Sequence, residues 1–165
     1  MNINLTQADY WINHLTLKPH PEGGYYNEVF RSEQQVTRKG ESQLKNSCTS
    51  IYYLLQNADF SSFHKLQSDE IWYFHAGSPL HIHMLRPDGQ YERKELSIHE
   101  TGSLSVIIEA GTWFAAEIPS RLGFCLSSCV VAPGFEFSEF ELGEKEKLIE
   151  LYSAQAELIG RLCLR

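Results

Sequence analysis

Glu70 follows His64 by six positions in the stretch Ser62-Phe63-His64-Lys65-Leu66-Gln67-Ser68-Asp69-Glu70-Ile71-Trp72-Tyr73-Phe74. An imidazole and a carboxyl held together can pass a proton, grip a polar ligand or supply two donors to a metal ion. Ile71 to Phe74 is strand-forming chemistry, and counting by twos puts Glu70 on the face of Trp72 and Phe74. Buried polar groups need partners, so the pair belongs beside a cavity rather than inside a dry strand face. His81-x-His83 is a second candidate, since two histidines at i, i+2 on a strand share a face and can chelate. Their alternation with Leu80, Ile82 and Met84 instead predicts two exposed imidazoles on the wet side of an antiparallel strand. His20, His75 and His99 fall in or beside turns, and His14 on the outer face of a helix; none is given a role.

The elements that must position these groups are mainly β. Residues 6 to 17 read as a helix: Thr6 with Asp9 three positions on is a variant capping box, and Ala8, Trp11, Ile12 and Leu15 recur at helical spacing. Two prolines and two glycines in Lys18 to Gly24 end it. Tyr25 to Ser32 reads as a strand, with Tyr25, Asn27, Val29 and Arg31 on one face and Tyr26, Glu28 and Phe30 on the other. Residues 33 to 47 lack periodicity and read as a long loop. Strands are expected over 48–55, 71–74, 80–86, 91–96, 105–108, 113–118, 124–132 and 135–142, with Pro87-Asp88-Gly89-Gln90 a hairpin turn. Eight to ten short strands at this spacing suit a sandwich or barrel. After Gly143 helical spacing returns over 144–152 and 154–162.

Length and charge bound the function. A chain of 165 residues is the size of one domain. A net charge of −7, with scattered basic residues, argues against nucleic acid or an anionic membrane as partner. No apolar run approaches the roughly 20 residues of a spanning helix, and the first residues do not resemble a signal peptide, so the cytoplasm is the expected compartment. Cys48, Cys125, Cys129 and Cys163 read as packing residues. The two in one strand would stand about 13 Å apart, too far to bridge.

Several spaced runs carry a family resemblance: Pro21-Glu22-Gly23-Gly24-Tyr25-Tyr26 with Glu28 and Arg31-Ser32; Thr49-Ser50-Ile51-Tyr52; His64 with Asp69-Glu70-Ile71-Trp72; Ala110-Gly111-Thr112-Trp113-Phe114; and Val131-Ala132-Pro133-Gly134-Phe135 with Phe140. Glu70 and Gly77 match the end of the first cupin motif, H-x-H-x(3,4)-E-x(6)-G, with His64 at its first His. Gly102 and residues 109 to 114 echo the second motif. Together they resemble the cupins, in particular a subgroup described as sugar-epimerase-like. The resemblance implies a double-stranded β-helix barrel with an N-terminal helix and one or two C-terminal helices, commonly a homodimer, with an inward small-molecule pocket.

The departures weigh against a metal. Leu66 and Phe114 stand where metallo-cupins have histidines, Glu109 replaces the second-motif proline, and two remaining donors suit a divalent cation poorly. A metal-dependent enzyme on His64 and Glu70, with His81 or His83, stays an alternative; no metal or cofactor is expected. The resemblance to epimerases on this barrel implies His64 as a base, oriented by Asp69 or Glu70. The acid would come from Tyr25, Tyr26, Tyr52 or Tyr73, and the expected catalytic set is His64, Glu70 and Tyr73. Trp72, Trp113 and Phe114 would stack on a ligand ring, with Tyr25, Glu28, Arg31 and Glu117 at its polar edge. The leading expectation is binding of a small polar or heterocyclic metabolite, and a metal-independent isomerase or epimerase is the rival.

Overall fold

A computed structural model describes residues 7 to 165. Thr6, the expected helix cap, lies outside the described residues. The first helix, α1, is Gln7–His14. The strands follow as β1 Lys18–Pro19, β2 Tyr25–Arg31, β3 Gln35–Thr37, β4 Leu44–Asn46, β5 Thr49–Gln56, β6 Phe60–Leu66, β7 Asp69–Gly77, β8 Leu80–Leu85, β9 Tyr91–Leu96, β10 Ser105–Ile108, β11 Trp113–Glu117, β12 Phe124–Ala132 and β13 Phe140–Leu142. Helices α2 (Lys145–Leu151) and α3 (Ala156–Leu162) close the chain.

Alternating sequence dictates two antiparallel sheets packed face to face. The larger has the order β1-β2-β5-β12-β7-β10 and the smaller β13-β6-β11-β8-β9. Their inward faces meet in a core that includes Tyr53, Trp72, Ile82, Met84, Ile108 and Phe114. Full burial of an aliphatic side chain of this kind contributes about 2 kcal/mol. Each outer face has its own helical cover. Leu54, Phe124 and Leu126 of the larger sheet pack with Ala8 and Leu17 at α1. Phe63, Leu85 and Trp113 of the smaller sheet pack with Leu148 of α2 and Ile159 and Leu162 of α3. This is the mainly β cupin architecture, with terminal helices, that the resemblance implies.

Three local features differ from the sequence expectation. Residues 33 to 47 are not a loop: β3 and β4 pair as a hairpin in a two-stranded sheet of their own. Residues 60 to 66 form a full strand, so the direction of His64 is fixed by pairing with Phe114 across β6 and β11. Of the strand expected over 135–142 only β13 forms, and Phe137–Glu139 is a short 3-10 turn. The segment 133–139 therefore lies across one end of the sandwich as a strap, joined to β12 at one side and to β13 at the other.

Candidate functional site

The strap covers a cavity between the sheets. Tyr53, Trp72 and Cys129 line its core side, His64 and Glu70 its walls, and Phe135 and Phe140 its mouth. Its water-accessible volume is about 30 Å³, room for about two waters.

His64 is 2% exposed on β6. Its Nδ1 lies 2.8 Å from the Ser62 carbonyl oxygen, which can only accept, so Nδ1 carries the hydrogen. Burial pushes the imidazole down to about 4, against a smaller rise from that carbonyl, so the ring is neutral at neutral pH and Nε2 keeps a lone pair. Glu22 Oε2 stands 3.2 Å from Nε2. Burial raises the Glu22 carboxyl, against smaller opposing effects from His20, Ser61 and Tyr53. Burial thus works against charge on either member of this close pair, since two buried charges are costly. Ser61 Oγ donates to Glu22 Oε1 at 2.9 Å.

Glu22 reaches this place through a tight turn. His20 N donates to the Gly24 carbonyl and Gly23 N to the His20 carbonyl, each at 3.0 Å, and Ser62 N holds the Glu22 carbonyl at 2.8 Å. Gly23 has φ +114, and a Cβ there would stand 2.1 Å from the Phe60 carbonyl oxygen, so no other residue fits. Tyr53 donates its hydroxyl to the Gly23 carbonyl at 2.6 Å. His20 Nδ1 accepts from the Glu22 amide at 3.2 Å, its ring standing edge-on to Tyr26 at 4.4 Å. Burial lowers the His20 imidazole, with Glu22 opposing.

Glu70 and Trp72 follow one another on the inward face of β7. Burial, helped by Glu22, raises the Glu70 carboxyl to about 8, against smaller lowering effects of Cys129 and Trp72. Glu70 Oε2 and Trp72 Nε1 are buried yet have no hydrogen-bond partner of acceptable geometry among the described residues. The cavity is therefore polar, and burial works against charge on His20, Glu22, His64 and Glu70 alike.

The other expected site residues are dispersed. Phe114 packs against His64 with ring centroids 4.0 Å apart. Tyr73, one step out of phase with Trp72, points to the opposite face of β7 and is 40% exposed, away from the cavity. Tyr25 packs toward α1, and its neighbour Tyr26 lines the cavity instead. Trp113 belongs to the outer core beneath α2 and α3, with Lys65 Nζ 4.4 Å from its ring centroid. Glu117 shares that side of β11: it accepts from His83 Nε2 at 3.1 Å and pairs with Arg161. Glu28 and Arg31 were expected on opposite faces; a register shift between Glu28 and Phe30 brings them together as an exposed ion pair of 2.9 Å. Arg31 also donates to the Phe135 carbonyl and to Glu136, each at 3.0 Å, tying down the strap.

His81 and His83 do share an outer face, but His83 is not exposed. It is 5% accessible, with Nδ1 2.9 Å from the Tyr91 hydroxyl. Asp69 does not orient His64; it accepts the Ala110 amide at 2.9 Å. The orienting groups are Ser62 and Glu22. Glu22 and His20 sit in a Pro/Gly-rich turn with no periodicity to show their direction, and the run Pro21 to Tyr26 was their only sequence signal.

The donor set does not fit a divalent metal. Leu66 and Phe114 present carbon, both His64 nitrogens are engaged, and among the described residues no three His, Cys, Asp or Glu side chains are placed to hold an ion. Among the described residues no helix is long and apolar enough to cross a membrane.

Comparison with known proteins gives the family and the fold. Residues 9–143 match the family described as Cupin superfamily (DUF985). An uncharacterized protein of Saccharomyces cerevisiae is 32% identical over 153 aligned residues, covering 82% of this chain and 75% of that one. A solved protein of Shewanella oneidensis has 35% identity and a TM-score of 0.85, covering 96% of this chain and 98% of its own. A hypothetical protein from Leishmania major gives 32% and 0.88, covering 98% and 100%.

Proposed function

The chain belongs to the Cupin superfamily (DUF985), and on that footing we propose that its barrel cavity binds a small uncharged polar molecule. One observation carries this: the histidines and glutamates that line the cavity, His20, Glu22, His64 and Glu70, are all shifted toward their uncharged forms. A charged guest would enter without a fixed counter-charge and lose its hydration. A neutral polar guest meets donors and acceptors between Tyr26, Phe135 and Phe140.

The rival reading, a metal-independent epimerase or isomerase with His64 as base, has the fixed tautomer of His64 in its favour. Two facts weaken it. A base held near 4 takes a proton from carbon poorly, and its Nε2 already faces the Glu22 carboxyl at 3.2 Å. Tyr73 is also absent from the cavity, leaving Tyr26 or Tyr53 as the acid. Binding is the stronger reading. A homodimer is part of the same proposal, on the family resemblance alone.

A saturation-transfer NMR screen of small neutral, cationic and anionic ring fragments tests the reading. Neutral polar rings are expected as the hits, weakened by Glu70→Leu. Hits confined to ions, or insensitive to Glu70→Leu, would overturn it.

A further inference from the structure

Glu70 and Trp72 are the two places in the cavity where a buried polar atom is left to a ligand. Glu70 is 5% exposed and Trp72 1%; both line the cavity from the same face of one strand, and the indole stands close enough to lower the Glu70 carboxyl. One is a carboxyl oxygen that can accept; the other is an indole N–H that can only donate. Burying either without a partner costs on the order of 1–3 kcal/mol. A ligand that satisfies both must present a donor and an acceptor side by side.

Resting on the cavity as a binding site, the geometry points to a cyclic amide or imide as the ligand class, its ring N–H donated to Glu70 Oε2 and its adjacent carbonyl accepting from Trp72 Nε1. Other classes meet only part of the demand. An ammonium group satisfies Glu70 and leaves the indole N–H without an acceptor. A carboxylate satisfies the indole but enters without a fixed counter-charge and loses its hydration. A saturated sugar offers donors and acceptors but no flat face for Tyr26, Phe135 and Phe140. A five- or six-membered lactam or imide ring supplies both the edge and the face. It needs more than the 30 Å³ open to water, so the strap bearing Phe135 must give as it enters.

The chain has three tryptophans, Trp11, Trp72 and Trp113, so ¹⁵N-labelled protein shows three side-chain indole N–H signals, and Trp72→Phe assigns the one that matters. The probes are succinimide, N-methylsuccinimide, which lacks the N–H, and γ-butyrolactone, which keeps the ring carbonyl alone. Succinimide is expected to move the Trp72 signal saturably and to bind about tenfold more tightly than either analogue, the worth of one lost buried hydrogen bond. Glu70→Leu should remove that preference; should this variant not fold, the ranking of probes on the unaltered protein decides alone. Equal affinities, or no movement of the Trp72 signal while the fragment screen still yields neutral hits sensitive to Glu70→Leu, would overturn the amide class and leave the cavity reading standing. No movement and no such hits would overturn both.

Discussion

Glu70 carries a proton in the folded chain at a pH where it would lose it in the unfolded one, and stability must follow. A carboxyl raised to about 8 from an ordinary 4.5 binds its proton more tightly when folded, so stability falls as pH rises between those values. His64, lowered from 6.5 to about 4, acts oppositely: stability rises with pH between 4 and 6.5. The two largely offset below 6.5. From pH 6.5 to 8 only the Glu70 contribution remains of the two, worth about 2 kcal/mol at most. Thermal unfolding of the wild type should therefore show falling stability across that window, and Glu70→Gln should be flatter by that amount. An equal slope in both proteins would contradict the shifted carboxyl. At this scale Glu70 and Trp72 were legible in sequence because strand alternation fixes direction once the phase is known, whereas the direction of His64 is set by the pairing of β6 with β11. The same rule excludes Tyr73 from the face of Trp72, which makes its choice as a catalytic group a misreading of phase. Glu22 and His20 were not legible as site residues, because direction in a turn is set by φ values and tertiary contacts.

The strap illustrates how elements rather than residues control access. Glu139 accepts from Arg38 Nη2 at 3.0 Å and pairs with Lys45, which is only 7% exposed, so the β3–β4 hairpin and the strap are joined through one carboxylate. Arg38 Nη2 also reaches Ser68 Oγ at 2.9 Å. Glu139→Gln keeps the shape and removes the charge, which leaves Lys45 a partly buried cation without its counter-ion and costs about 3 kcal/mol. Amide hydrogen exchange should quicken over residues 133–142 in this variant while the central strands β5, β7 and β12 keep their protection. Unchanged exchange in the strap would show that Glu139 is no latch. Residues 33 to 47 hid this element in sequence: Gln35–Thr37 and Leu44–Asn46 are too short and too polar for alternation to register. The β-bulge after Glu28 was equally invisible, since nothing in Tyr25 to Arg31 marks where the count slips.

For the whole molecule, the sequence disclosed architecture better than purpose. The mainly β character, the Pro87–Gln90 turn and the helices at both ends were legible, though thirteen strands form among the described residues where eight to ten were expected; the motif spacing around Glu70 and Gly77 narrowed the fold to the cupin barrel. What a pattern of types could not disclose is how burial redistributes charge. The chain bears a net charge of −7, with acidic groups such as Glu28, Glu41, Glu109 and Glu136 at the surface, yet two further carboxyls are drawn into a hollow whose burial raises both. That contrast depends on the strap, the Gly23 turn and the inward faces of β6 and β7 acting together. Its most direct test is a carboxyl ¹³C titration of protein labelled in glutamate, with Glu70→Gln and Glu22→Gln to assign the signals. Glu70 is expected to ionise near pH 8 and Glu22 above the ordinary carboxylate range. A Glu70 midpoint near 4.5 would mean a charged cavity and contradict the binding of a neutral ligand proposed for it.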